Sequence, residues 1–192
     1  MKKTLLLLAI CMTSLASMAA NLTTTWYKIY EHTDQYQRGN GSSANVTRID
    51  ITWLNGDINV EYGDVDKVTW EESVVRGTAD EHFQVHYWNH NGTLHLYFAQ
   101  SGKWQMDRNL QKDLKVILPK KFQYAEVEIE NVDGDIHVRA QTLKLELETV
   151  NGDINAYVKA KEVSAESVNG NITITNRDAR EIDMESVNGN LT

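Results

Sequence analysis

Five copies of one short phrase punctuate this chain: Leu54-Asn55-Gly56-Asp57-Ile58, Val132-Asp133-Gly134-Asp135-Ile136, Val150-Asn151-Gly152-Asp153-Ile154, Val168-Asn169-Gly170-Asn171-Ile172 and Val187-Asn188-Gly189-Asn190-Leu191. The last four glycines follow one another at steps of 18, 18 and 19 residues. A fixed period this short is the signature of a solenoid whose coils stack on one another. Asn-Gly and Asp-Gly favour turns, because glycine takes φ > 0 at no steric cost and Asn or Asp tolerates the left-handed region. The phrase therefore predicts a corner between two strands, with Gly56, Gly134, Gly152, Gly170 and Gly189 as the turn residues and φ > 0 expected at Gly152. The flanking Val and Ile or Leu are expected to point inward, Val132, Val150, Val168 and Val187 stacking in one column and Ile136, Ile154, Ile172 and Leu191 in another.

Between the phrases, polar and apolar residues alternate with the strand period of two. Further inward columns are Val138, Ala156 and Ile174; Leu145, Val163 and Ile182; and Leu147, Ala165 and Met184. The predicted fold is all-β: a right-handed parallel β-solenoid with coils of about 18 residues, two strands and two corners to each. The extra residue of the last period falls near Asn176-Arg177-Asp178 and should bulge at the second corner. Asn-Gly between apolar alternations is also the strongest hairpin signal. Asn91-Gly92 is read that way, joining Phe83–Tyr87 to Thr93–Phe98, whereas four in-register copies favour stacking.

A strand ending in Leu118-Pro119, then Ala125-Glu126-Val127-Glu128-Ile129, then serial Val-Asn-Gly-Asp-Ile units resembles the bacterial putative-adhesin family of β-strand-repeat proteins, a domain of unknown function. The similarity extends back to Val46-Thr47-Arg48-Ile49-Asp50-Ile51 leading into Asn55-Gly56-Asp57-Ile58. The resemblance implies a secreted or envelope-associated β-solenoid and supplies no catalytic residues.

Lys2-Lys3, an apolar run from Leu5 to Met12 and Ser17-Met18-Ala19 read as a secretory signal peptide cut after Ala19. The run is too short to serve as a membrane anchor, so no integral membrane segment is expected after cleavage. Cys11 lies inside the run and follows Ile10 where a lipoprotein would carry a small residue, which argues against lipidation. Residues 1–19 are thus assigned to the signal peptide and 20–192 to a single domain, with 20–124 as a less regular β segment capping the regular repeats of 125–192. Within it, 37–45 is read as a loop and 104–112 as a loop or one helical turn. Cleavage leaves no cysteine, which excludes disulfides and thiolate metal sites. It lowers the basic count from 19 to 17 against 27 acidic residues, taking the net charge from −8 to −10. So acidic a chain argues against nucleic acid and against unaided docking to anionic lipid.

The repeat alignment places Glu130, Glu148, Glu166 and Glu185 in one outward column. Glu128, Glu146 and Asp183 fall in the next, interrupted by Ser164. Unit charges about 4.8 Å apart repel by roughly 0.9 kcal/mol in water. The column is a solvated face that keeps an edge-prone protein apart from its neighbours, or an interaction surface for cations or a basic partner. Asp57, Asp135 and Asp153 lack the extra glycines of calcium β-roll repeats, so corner carboxylates accepting backbone N–H bonds are expected instead. Asn151, Asn169 and Asn188 should form an amide ladder, with Thr149, Ser167 and Ser186 as a hydroxyl ladder beside it. His82, His86, His90 and His95 cluster across the hairpin, where imidazoles could bind metal or be ordinary surface residues. The tryptophans at 26, 53, 70, 88 and 104 either cap the first coil or form a sugar-stacking platform.

No Gly-x-Ser-x-Gly elbow, phosphate loop or His-Glu-x-x-His occurs. Polysaccharide lyases share the parallel β-helix only as a fold analogy, and stacked carboxylates are not the flanking pair of glycoside hydrolysis. The expectation is an exported, non-catalytic scaffold or adhesin-like module of the periplasm or cell surface, with no cofactor and no metal. A cation- or glycan-binding envelope protein is the alternative, and a polysaccharide-active enzyme the third reading. The final coil lacks a cap, which predicts a homo-oligomer through an open C-terminal edge, alongside a cell-envelope or surface partner.

Overall fold

The computed structural model describes residues 37–79, 81–99, 109–120 and 123–192. The expected signal peptide, Trp26 and Trp104 lie outside the described residues. The strands in chain order are β1 (Gln37–Arg38), β2 (Gly41–Ser43), β3 (Arg48–Thr52), β4 (Ile58–Gly63), β5 (Val68–Arg76), β6 (His86–His90), β7 (Thr93–Tyr97) and β8 (Gln111–Pro119). They continue with β9 (Tyr124–Asp133), β10 (Ile136–Val138), β11 (Thr142–Asn151), β12 (Ile154–Val158), β13 (Glu162–Asn169), β14 (Ile172–Asn176) and β15 (Glu181–Asn188). The arrangement is all-β and repeat-like. Eight strands form one sheet in the order β1-β6-β7-β3-β9-β11-β13-β15, and seven form the other in the order β14-β12-β10-β4-β8-β5-β2.

Each corner phrase passes the chain from the first sheet to the second, and successive passes pair in parallel. The layers do not follow chain order at the N-terminal end. β3 and β4 stack directly on β9 and β10, with Ile51 opposite Ile129 and Ile58 opposite Ile136. Beneath them lies the pair β7 and β8, with Leu96 opposite Ile51 and Leu114 opposite Ile58. Antiparallel strands close this end, β6 and β1 on the first sheet and β5 and β2 on the second. The segment expected to be a loop at 37–45 therefore contributes two short strands that complete the cap. Likewise Gln111 and Lys112 belong to β8, although the sequence suggested a loop or helical turn there.

The hairpin at Asn91-Gly92 is present, with φ of 51° and 81°, the two left-handed residues that a two-residue turn between twisted strands requires. Its first strand starts at His86 rather than Phe83. The core runs the length of the stack between the sheets, through Leu94, Ile49, Val127, Leu145 and Val163 on one side and Leu114, Ile58, Ile136, Ile154 and Ile172 on the other. In the last period the pairing offset rises from 18 to 19 residues between Asn176, opposite Val158, and Glu181, opposite Glu162. Asn176 spans the irregularity with its side-chain amide, donating to Ala160 O at 3.0 Å and accepting from Ala160 N at 3.1 Å.

The valines of the phrase do not point inward. Strand alternation turns Asn131, Thr149 and Ser167 into the core, where all three are buried, and leaves Val132, Val150 and Val168 half-buried on the outer face. The reason is the carbonyl of the corner glycine. Each inward side chain donates to the glycine oxygen of the layer beneath: Asn131 Nδ2 to Gly56 O at 3.0 Å, Ser167 Oγ to Gly152 O at 3.2 Å and Ser186 Oγ to Gly170 O at 2.9 Å. In the earliest layer of the series Trp53 Nε1 donates to Lys112 O at 2.6 Å. A buried carbonyl left unmet costs about 1–3 kcal/mol, so this position selects a short polar donor over valine. The expected hydroxyl ladder is thus a set of hydroxyl-to-carbonyl bonds between layers.

Candidate functional site

The outer face of the eight-stranded sheet is built from three neighbouring columns. Glu130, Glu148, Glu166 and Glu185 are successive partners in the parallel register, as are Asp50, Glu128, Glu146, Ser164 and Asp183. The third column supplies the cations: Lys144 Nζ lies 2.6 Å from Glu146 Oε1 and 3.1 Å from Glu126 Oε1. On the opposite flank of the Glu130 column stand the outward valines. Burial is the largest influence on Glu128, Glu130 and Glu148, and repulsion between neighbouring carboxylates adds to it. Glu130 is pushed up to about 8, by burial and then by Glu148 and Glu128. Glu128 is pushed up to about 7, by burial and then by Asp50 and Glu146, and Glu148 is raised for the same reasons. The result is a face of closely spaced carboxyls, three of which hold their protons more tightly than free carboxyls do. It presents no carboxyl pair flanking a cleft.

At the corner, each Asp or Asn after the glycine accepts the N–H of its counterpart in the next layer. Asp57 Oδ1 receives Asp135 N at 2.9 Å, Asp135 Oδ1 receives Asp153 N at 2.7 Å and Asp153 Oδ1 receives Asn171 N at 2.7 Å. These carboxylates are occupied by the backbone, as corner carboxylates should be. The amide ladder is present as well: Asn151 Oδ1 receives Asn169 Nδ2 and Asn169 Oδ1 receives Asn188 Nδ2, both at 2.8 Å. The glycines are required by close approach. A Cβ on Gly152 would overlap the carbonyl oxygen of Gly134, and each corner glycine from Gly56 onward meets the layer beneath in the same way. φ lies in the left-handed region at Gly56 (127°) and Gly134 (136°), but not at Gly152, where the expected positive φ is replaced by this steric reason.

The glycine column begins with Lys112. Leu110-Gln111-Lys112-Asp113-Leu114 is a sixth, degenerate copy of the phrase: Asp113 Oδ1 accepts Asp57 N at 3.0 Å, and Lys112 O lies under Gly56. Sequence reading missed it because the glycine is replaced. With no corner beneath it, position 112 carries a side chain, which runs into the cap and is fully buried. Lys112 Nζ pairs with Glu72 Oε2 at 2.6 Å, donates to Phe98 O at 2.7 Å and to Phe83 O, and stands 4.3 Å from the Phe98 ring centroid. Burial lowers its pKa to about 8 against the opposing pull of Glu72.

The described tryptophans, His86 and His95 are packing residues, whereas His82 is partly exposed and His90 exposed. Trp53, Trp70 and Trp88 are 2%, 3% and 6% exposed, as capping aromatics should be, and do not form the alternative sugar-stacking platform. Trp53 packs edge-on against Phe98, and Trp88 stacks on His95 at 4.5 Å. His95 Nδ1 lies 2.6 Å from Asp50 Oδ2, and His86 is buried with Nδ1 2.8 Å from Gln84 O. Among the described residues no group of three or more His, Cys, Asp or Glu side chains is placed to hold a metal ion, and no helix is long and apolar enough to cross a membrane.

The outer face of the seven-stranded sheet differs. Asn59, His137, Asn155 and Thr173 form one register column. Beside it Tyr157 stands 41% exposed between two guanidinium groups, Arg139 Cζ at 5.4 Å and Arg177 Cζ at 5.1 Å from its ring centroid. All of these except Arg177 line an open trough of about 530 Å³ together with Glu61, and Arg177 lines an adjoining one of about 340 Å³ with Glu61, Arg139 and Tyr157.

A model of the family described as Toastrack DUF4097 matches residues 43–192. Curated proteins give no match. Among solved structures, a putative cell adhesion protein from Clostridium sporogenes superposes with a TM-score of 0.55 at 9% identity, covering 82% of this chain and 97% of that one, and shares the fold. A putative adhesin from Parabacteroides distasonis gives a TM-score of 0.43 at 18% identity, covering 82% of this chain and 72% of its own.

Proposed function

Because the chain belongs to the Toastrack DUF4097 family, we propose that it is an exported, non-catalytic adhesin-like module or scaffold of the bacterial cell envelope. In this reading it winds as a right-handed parallel solenoid, the hand that parallel crossovers take almost without exception. The observation that carries the reading is the regularity of the stack. The eight-stranded sheet repeats a glutamate in each of four successive layers along its outer face, which suits multivalent contact with an extended partner. The corners are too tight to project loops around a reacting centre. The leader-like sequence Lys2 to Ala19 supports export, and the adhesion-related description of the Clostridium sporogenes protein supports the surface role.

The test is to fractionate cells carrying a tagged chain and to compare adhesion and envelope integrity with and without it. An envelope-located chain whose loss reduces adhesion or weakens the envelope is the expected result; a chain retained in the cytoplasm overturns the reading. A second reading, cation binding along Glu130, Glu148, Glu166 and Glu185, is favoured by the raised affinity of Glu130 and Glu148 for protons, which a cation would displace. It requires proton release on adding calcium or magnesium to the purified protein at neutral pH.

A further inference from the structure

We propose that the outer face of the seven-stranded sheet binds an acidic polysaccharide, a chain of uronate sugars laid along the trough beside Tyr157. Three observations on that face converge. The first is the pair of guanidinium groups held against the two sides of one exposed tyrosine ring, at 5.4 and 5.1 Å. Stacking engages the flat of a guanidinium and leaves its N–H edge for a carboxylate, which it meets through two parallel hydrogen bonds. Neither Arg139 nor Arg177 forms an ion pair among the described residues, whereas Lys115 on the same face is committed to Glu61 at 2.8 Å. The tyrosine thus stands between two cations, while the one carboxylate that lines the trough, Glu61, is the one held by Lys115.

The second observation is the adjoining column of Asn59, His137, Asn155 and Thr173, one amide, imidazole or hydroxyl in each layer. Such groups recognise the hydroxyls of a sugar, and their separation of about 4.8 Å is close to the rise of one sugar along an extended polysaccharide. The third is charge. The opposite sheet carries Glu128, Glu130, Glu148 and Glu166, so a polyanion has one face to approach. A duplex nucleic acid would need many more cations than this patch supplies, on a chain whose net charge is −8. A neutral glycan would leave both guanidinium groups unanswered.

The proposal names the chemistry of the surface contact in the adhesin-like reading, and the two fail separately. Localisation and adhesion assays test that reading in cells, while the following tests the face with purified protein. Calorimetric titration of tetragalacturonate at 0.15 M NaCl should show binding. Arg139→Gln with Arg177→Gln, and separately Tyr157→Ala, should weaken it at least tenfold with the thermal midpoint unchanged. Glu148→Gln with Glu166→Gln, on the other face, should leave it within twofold. Phenylglyoxal labelling of the unsubstituted protein gives a readout free of any folding effect: tetragalacturonate should protect Arg139 and Arg177. Absence of binding overturns the proposal, as does equal affinity for cellotetraose or polyphosphate, binding indifferent to the two arginines, or labelling that the sugar does not slow.

Discussion

At Gly152 a Cβ would occupy the place of the Gly134 carbonyl oxygen, and that oxygen is itself fixed by the parallel pairing of the two layers. Relief requires separating the layers locally, so Gly152→Ala should cost about 2 kcal/mol or more. Lys159→Ala, at an exposed neighbour, should stay within about 0.5 kcal/mol. Urea midpoints for the two variants measure the difference, and equal midpoints would refute the close-approach account. Lys112 is the converse case, a side chain at the glycine position that fills the cap beneath it. Replacing it with Met leaves Glu72, which also accepts Val85 N at 3.0 Å, as a buried carboxylate without its cation. Such a change typically costs about 3 kcal/mol or more. Denaturation of Lys112→Met and of Lys112→Met with Glu72→Gln should show the double variant recovering part of that loss.

At the scale of strands, the Glu130 column links structure to pH. Glu130 and Glu148 of this column, and Glu128 beside it, bind protons more tightly in the folded chain than the unfolded value of about 4.3, so the folded state holds more protons between that value and the raised ones. Stability from this source is full below pH about 4.3 and is lost as pH rises through about 7 to 8. The melting temperature should therefore fall between pH 5.5 and 8.5, and Glu130→Gln should flatten the slope. Screening acts in the same direction: added salt should raise the melting temperature at pH 8, and Glu148→Gln with Glu166→Gln should remove part of that rise. A melting temperature indifferent to both pH and salt would mean that these side chains are not neighbours.

These columns were legible because a period of two and a period of 18 together assign the strand residues between the corner phrases of 125–176 to a layer and a side. What failed was the side taken by the phrase valines, since hydrophobicity argued for the core and the glycine carbonyl decided otherwise. The layer order at the N-terminal end was beyond reach for another reason. β7 and β8 lie beneath β3 and β4 although they follow them in sequence, and their corner has lost its glycine. Arg139 and Tyr157 are 18 residues apart and so fall in one column, but the approach of Arg177 to the same ring depends on the irregularity at Asn176, which no repeat alignment resolves.

For the whole molecule, the two ends of the stack are unlike. The antiparallel strands and the Lys112–Glu72 pair close one end. At the other, Asn190 to Thr192 bond to Ile172 and Ile174 along β14, while β15 is the outermost strand of its sheet, and Ile182, Val187 and Leu191 are 42%, 45% and 47% exposed. A strand edge with apolar side chains invites another strand. The polypeptide of this sequence should self-associate with rising concentration, and a Pro- and Lys-containing extension after Thr192 should suppress it. Light scattering that reports a monomer at millimolar concentration would count against edge pairing.

The bond from each inward donor to the glycine carbonyl beneath always runs the same way, from the later layer to the earlier. Every layer therefore arrives with the donor that its predecessor lacks and leaves one acceptor for its successor. Such a unit is a module with a plug on one side and a socket on the other. Residues 148–165 hold one complete plug and socket, Thr149 and Gly152, so a tandem duplication of that stretch should be accommodated without a new junction. The stack would lengthen by about 4.8 Å for each copy, making the reach of the molecule a property that can be set by counting repeats.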